Sequence, residues 1–90
     1  MNDIVPETPG NRLKRLGMRS WRRGTKEMDL ILGPWSDRNL AGLGAEDLDL
    51  YEALLAENDQ DLYQWMTGQA TAPDALRPII RRISGEFGRL

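Results

Sequence analysis

The sequence predicts an all-α protein, a single domain built as a small bundle of about five short helices. Three observations predict it. The chain has 90 residues, the length of one domain. Apolar residues recur at helical spacing in five stretches, and no stretch of useful length alternates with period two. Glycines and prolines stand between those stretches, where they stop or start helices.

Residues 1–10, with two prolines and little apolar content, read as a flexible N-terminal tail, and residues 11–90 as the helical domain. The first helix is expected to start at Asn11, a good N-cap, and to carry Leu13, Leu16, Met18 and Trp21 as a ragged apolar stripe. Trp21 should be half-buried between helices one and two. Gly24 is expected to end helix one in a left-handed conformation. Helix two then presents Met28, Leu30, Ile31 and Leu32, and Gly33-Pro34 ends or bends it. The segment "SDRNLAGLG" reads as a loop. Helix three starts near Ala45 with Glu46 and Asp47 in its first turn, where acids suit the helix dipole. Leu48, Tyr51, Leu54 and Leu55 share one face, Leu50 lies at its margin, and the helix stops at Asn58. Asn58 then caps a fourth helix, with Asp61 at N3, Leu62, Trp65 and Met66 inward, and Gly68 at its end. After a linker, a turn over 73–77 leads into a last helix from Pro78 to about Phe87, because proline costs about 3 kcal/mol in a helix interior but little at its start. Ile79, Ile80 and Ile83 form its core face, with Phe87 one turn later, and the last three residues should fray. The expected core is Leu30, Ile31, Leu48, Leu55, Leu62, Trp65, Ile79, Ile80 and Ile83.

The formal charge is −2, yet the halves differ. Residues 1–45 hold eight bases against five acids, and residues 46–90 four bases against nine acids. Seven bases and no acid lie between Arg12 and Lys26; seven acids and no base lie between Glu46 and Asp61. Such blocks create strong local fields. The acidic block is either a solvated face, an attractor for a basic partner, or a counterpart for the chain's own arginines.

There is no cysteine and no histidine. Zinc sites and nucleophilic triads lose their usual parts. Neither phosphate-binding glycine motif is present. The chain is therefore expected not to be an enzyme. No apolar run approaches the roughly 18 residues of a membrane span. With no secretory or transit segment visible, the expected setting is the bacterial cytoplasm, ahead of the mitochondrial matrix.

The stretch Arg23-Gly24-Thr25-Lys26-Glu27, an R-G-x-x-E core followed by an apolar run, resembles the succinate dehydrogenase flavinylation assembly factor family. A second match lies in "YEALLAENDQDLYQWMTG", which holds the D-x-D-L-[YF]-x-W phrase at Asp59-Gln60-Asp61-Leu62-Tyr63-Gln64-Trp65. Two ordered blocks at this separation, over about residues 12 to 87, are more specific than either alone. Many members carry Met where Thr25 stands and Phe where Trp35 stands. The resemblance implies a small helical bundle that binds the flavoprotein subunit of succinate dehydrogenase, or of its fumarate reductase relative. It implies promotion of covalent FAD attachment on that partner, with no FAD held stably by this chain and no catalytic group supplied by it.

Arg22, Arg23, Gly24 and Glu27 are the candidate partner-binding residues. Each has a plain alternative. Gly24 is a helix terminator or a place where partner backbone comes close. Glu27 is half of a capping box, if Gly24 is the N-cap, or a partner contact. Arg22 and Arg23 are solvated charges or interface forks for carboxylates and carbonyls. The competing function is a small helical nucleic-acid-binding regulator using the basic 12–26 segment. A pI near 5.0 and the acidic second half weigh against it. The free chain is expected to be a monomer.

Overall fold

The structure, a computed structural model, describes residues 7–87. Among them run α1 (Pro9–Ser20), α2 (Lys26–Asn39), a 3-10 turn (Leu40–Gly42), α3 (Ala45–Leu55), α4 (Asp59–Met66) and α5 (Arg77–Phe87), with no strand. The expected all-α bundle of five helices is what forms. Residues 1–6 and 88–90, and with them most of the expected tail and the expected fraying end, lie outside the described residues, as does the side chain of Phe87.

Helix α1 starts earlier than the sequence reading placed it. Thr8 Oγ1 accepts from the Asn11 N–H at 3.1 Å and Pro9 occupies the first helical position. A hydroxyl cap followed by a proline with preset φ outcompetes Asn11, which sits in the first turn instead. The helix also ends earlier, at Ser20. Gly24 does not terminate it, and its φ is not positive; Gly68 is the one glycine with positive φ among the described residues. The chain leaves α1 through a tight turn, Trp21 N–H to Met18 O and Arg22 N–H to Arg19 O. The next two amides are then taken by side chains, Arg23 N–H by Asp29 and Gly24 N–H by Asp59.

Helix α2 corrects the reading most. Gly33-Pro34 neither ends it nor begins a loop; the helix continues to Asn39. Its inward face is Met28, Ile31, Leu32 and Trp35, the i, i+3, i+4, i+7 pattern of a helix packed on a core. Leu30, expected inside, is 58% exposed, because that face leaves no room for it. Tertiary packing holds the helix together across the proline. Trp35 stacks on Tyr51 with ring centroids 5.3 Å apart and donates its indole N–H to Glu86 Oε2 at 2.9 Å.

The second half follows the sequence closely. Helix α3 starts at Ala45 but ends at Leu55, short of Asn58. Asn58 caps α4, its Oδ1 accepting from the Asp61 N–H at 2.9 Å. Gly68, φ 80°, lets the chain turn back, and the Gln69 N–H closes on Gln64 O at 2.8 Å. Pro78 falls in the first turn of α5, where its missing N–H costs nothing. Tyr51, Leu54, Leu55, Leu62, Met66, Ile79, Ile80 and Ile83, with Leu40, Ala72 and Leu76, complete the core with α2 and Leu16. Leu48 and Trp65, expected inside, are only partly buried and pack against its edge.

Candidate functional site

The R-G-x-x-E stretch forms the connection from α1 to α2 and the first turn of α2. Arg23 does not project into solvent. Its side chain is 9% exposed and every one of its guanidinium nitrogens is used. Nε donates to Asp59 Oδ1, Nη1 to the Leu55 carbonyl and Nη2 to the Glu57 carbonyl, each at 2.7 Å. The two carbonyls belong to the end of α3 and the turn after it, where helix termini leave acceptors without partners. Arg23 thus closes the end of α3 and ties it to the start of α4. Of its two alternatives, the solvated charge does not fit this geometry, and the guanidinium that would form an interface fork is already engaged within the chain, so its removal would cost the free protein stability.

Gly24 is exposed, and its N–H donates to Asp59 Oδ2. A Cβ built there would lie 2.8 Å from that oxygen. The requirement for glycine is a close approach, not a left-handed backbone. Thr25 caps α2, its Oγ1 accepting from the Met28 N–H at 3.3 Å. Glu27 therefore occupies N2 and not N3, so the capping box is not formed. Glu27 is exposed on the rim of a groove of about 310 Å³ that it shares with Thr25, Asp59, Gln60, Tyr63, Gln64 and Gln69. Two blocks far apart in sequence, the R-G-x-x-E core and the D-x-D-L phrase, meet in this groove.

Arg22 is exposed on the other side of the junction, beside Met18 and Trp21. Trp21, 44% exposed, lies across Gly33 of α2 and donates its indole N–H to Asp37 Oδ1 at 3.2 Å. Thr25 and Glu27 thus line the groove, with Gly24 tied to its lining residue Asp59, whereas Arg22 faces a separate basic face of α1 and Arg23 points inward. What sequence reasoning missed is Asp59, which contacts both Arg23 and Gly24. Its only advance signal was its place in the second family-like block.

Three of the seven bases of the basic run, Arg12, Arg15 and Arg23, are answered by the chain's own acids. Arg12 reaches Asp49 at 2.7 Å and Glu52 at 2.9 Å, and Arg15 reaches Glu7 at 2.7 Å and Glu52 at 3.0 Å. Burial pushes the Glu52 carboxyl up, but hydrogen bonds from Arg15 and Arg12 outweigh it and hold the group below the usual carboxylate range. Of the three alternatives for acidic α3, pairing with the chain's own arginines is the one observed. Among the described residues Lys14, Arg19, Arg22 and Lys26 form no ion pair, and no group of three or more acids is placed to hold a metal.

Residues 14–86 match the model of a family described as the flavinator of succinate dehydrogenase. The chain is 40% identical over 72 residues to the FAD assembly factor SdhE of Pseudomonas aeruginosa, covering 79% of this chain and 84% of that protein. It is 33% identical over 81 residues to the FAD assembly factor SdhE of Acetobacter pasteurianus, covering 89% and 74%. It is 45% identical over 53 residues to succinate dehydrogenase assembly factor 2, mitochondrial, of Debaryomyces hansenii, covering 59% of this chain and 37% of that protein. The match thus spans well under half the length of this fungal relative and most of the bacterial ones. All three are named as assembly factors and not as enzymes.

Proposed function

The chain belongs to the family described as the flavinator of succinate dehydrogenase, and from that premise we propose that it binds the flavoprotein subunit of succinate dehydrogenase, or of its fumarate reductase relative, and promotes covalent attachment of FAD to it. The observation that carries the reading is the exposed groove beside α4 lined by Thr25 and Glu27, with Gly24 tied to its lining residue Asp59. This surface is exposed, yet its backbone is pinned from below by Asp59 and Asp29. A rigid, exposed segment is suited to selecting one conformation of a partner. Binding better to the conformation in which the flavin can bond to the protein makes that conformation more populated. The chain has no histidine or cysteine, the usual acceptors of a covalent flavin, so the acceptor belongs to the client. In this reading the factor is not an enzyme, holds no FAD of its own, and acts as a monomer in the bacterial cytoplasm. No helix of the described residues is long and apolar enough to cross a membrane.

The nucleic-acid alternative loses support from the geometry. Three of the seven bases in its footprint, Arg12, Arg15 and Arg23, are engaged with acids of the same chain. Fewer free cations means fewer phosphate contacts and weaker binding.

The test uses purified apo-flavoprotein subunit, FAD and this chain, read by flavin fluorescence of the denatured subunit on a gel. Covalent flavin should form faster with the chain than without it. Glu27→Ala should reduce that gain while lowering the factor's own stability by only about 0.3–1 kcal/mol, the worth of an exposed acid near a helix N-terminus. Equal flavinylation with and without the chain, and no detectable complex, would end the reading.

A further inference from the structure

Asp59 answers two groups of the connection between α1 and α2 at once. Oδ1 accepts from Arg23 Nε at 2.7 Å and Oδ2 accepts from the Gly24 N–H. The Asp59 side chain is only 12% exposed. Through Arg23 it also reaches the Leu55 and Glu57 carbonyls, and Asp29 holds the Arg23 N–H at 2.6 Å from the other side. Three parts of the chain, the connection before α2, the end of α3 and the start of α4, are clipped together at one carboxylate.

We propose that Asp59 is a positioning residue: it holds Arg23 and Gly24 so that the exposed segment 24–27 meets the client in one preset shape, and Arg23 serves binding through this clip and not by touching the client. The proposal rests on the reading above, in which that segment is the docking surface. Its physical basis is preorganisation. A connection free to sample many backbone states loses that freedom on docking, and the loss weakens the complex. A segment already fixed by Asp59 loses little. The clip also explains the glycine. A Cβ at position 24 would lie 2.8 Å from Asp59 Oδ2, so a side chain there displaces the oxygen that fixes the backbone.

Asp59→Asn is the decisive variant. Asparagine has the same shape but one acceptor oxygen, and its NH2 is a donor that would face another donor. It can answer Arg23 or Gly24, not both. Ile83→Val serves as the control: it trims a fully buried core residue of α5 that takes no part in the clip. Both variants are compared with the full chain well below their melting temperatures, by amide hydrogen exchange and by Kd for the purified flavoprotein subunit. In Asp59→Asn the Gly24 amide should exchange faster and Kd should rise about tenfold. Ile83→Val should change neither. Arg23→Lys, which keeps the charge but not the three-way planar fork, should behave like Asp59→Asn; a guanidinium needed only for its charge on the client would leave the lysine variant near wild type.

Wild-type affinity in Asp59→Asn overturns the proposal and leaves the function reading standing. So does an equal loss in Ile83→Val, which would make the effect one of general stability. Weaker binding with unchanged Gly24 exchange would place Asp59 in direct contact with the client and overturn positioning. A wild-type chain that binds no flavoprotein subunit removes both the function reading and this one.

Discussion

Gly24 owes its identity to an oxygen atom 35 residues further along the chain. Its φ lies outside the left-handed region, so asparagine has no advantage over alanine there. Gly24→Ala and Gly24→Asn should both destabilise, by about 1–2 kcal/mol, through loss of the bond to Asp59. The cause is checked by a cycle: in an Asp59→Ala background the Gly24→Ala cost should largely vanish, and additive costs in thermal denaturation would refute the close-approach account. Tyr51 gives a second prediction at this scale. Its hydroxyl lies 2.6 Å from Ser20 Oγ, and Ser20 gives its own proton to the Leu16 carbonyl at 2.8 Å, so the phenol is the donor. Burial pushes the phenol up to about 12. The unfolded value is about 10, so the folded state keeps a proton that the unfolded state releases. Stability from this group is complete below about pH 10 and is lost as pH rises toward 12, by about 2–3 kcal/mol in total. Tyr51→Phe should lose less stability than wild type over that window. Equal alkaline slopes in urea titrations would show that Tyr51 is not the group.

Helix α2 shows how packing overrides local chemistry. Pro34 removes a backbone donor in the helix interior, and the helix persists because Trp35 and its neighbours are buried. The proline is therefore a burden that the core carries. Pro34→Ala should stabilise the protein by about 1–3 kcal/mol. Its neighbour should do the opposite, since a Cβ at Gly33 would come within 2.6 Å of the Trp21 indole ring. Gly33→Ala should then displace Trp21 and cost about 1–3 kcal/mol. Urea midpoints check both, and a destabilised Pro34→Ala would mean the ring itself packs usefully. The same helix marks where sequence reasoning stops. Caps act within three or four residues, so Asn58 with Asp61, Gly68 and the placing of Pro78 were all legible. The Gly33-Pro34 stop was overruled by burial, and counting Trp35 outside the helix hid the true inward face and sent Leu30 to the core. At the site, the exposure of Gly24 and Glu27 was legible from the motif. The pairing of Arg23 with Asp59 was not, because a contact spanning 36 residues leaves no local signature.

A molecule of this size folds on a thin margin, so one residue that joins several helices weighs on all of it. Trp35 holds that place. It is 1% exposed on α2, stacks on Tyr51 of α3, and bonds Glu86 of α5 through its indole N–H. Glu86 also accepts from Asn39 Nδ2 at 3.4 Å and pairs with Arg38 at 3.5 Å, so the end of α2 and the end of α5 share one carboxylate. Trp65, read from the sequence as the core tryptophan, is only partly buried on α4. The order of their effects should therefore invert the sequence expectation. Trp35→Ala should cost about 3–5 kcal/mol, the usual range for a large buried aromatic, and Trp65→Ala clearly less. Against a total stability of about 5–15 kcal/mol, the first loss should leave much of the chain unfolded at growth temperature. Trp35→Phe separates packing from hydrogen bonding. It retains the stacking on Tyr51 and loses the donor to Glu86, so it should recover most of the stability but not the last 1 kcal/mol or so. Urea denaturation followed by far-ultraviolet circular dichroism measures all three variants without relying on tryptophan fluorescence. A Trp65→Ala protein less stable than Trp35→Ala would place the centre of the core on α4 and overturn the assignment of Trp35 as the residue that joins the bundle.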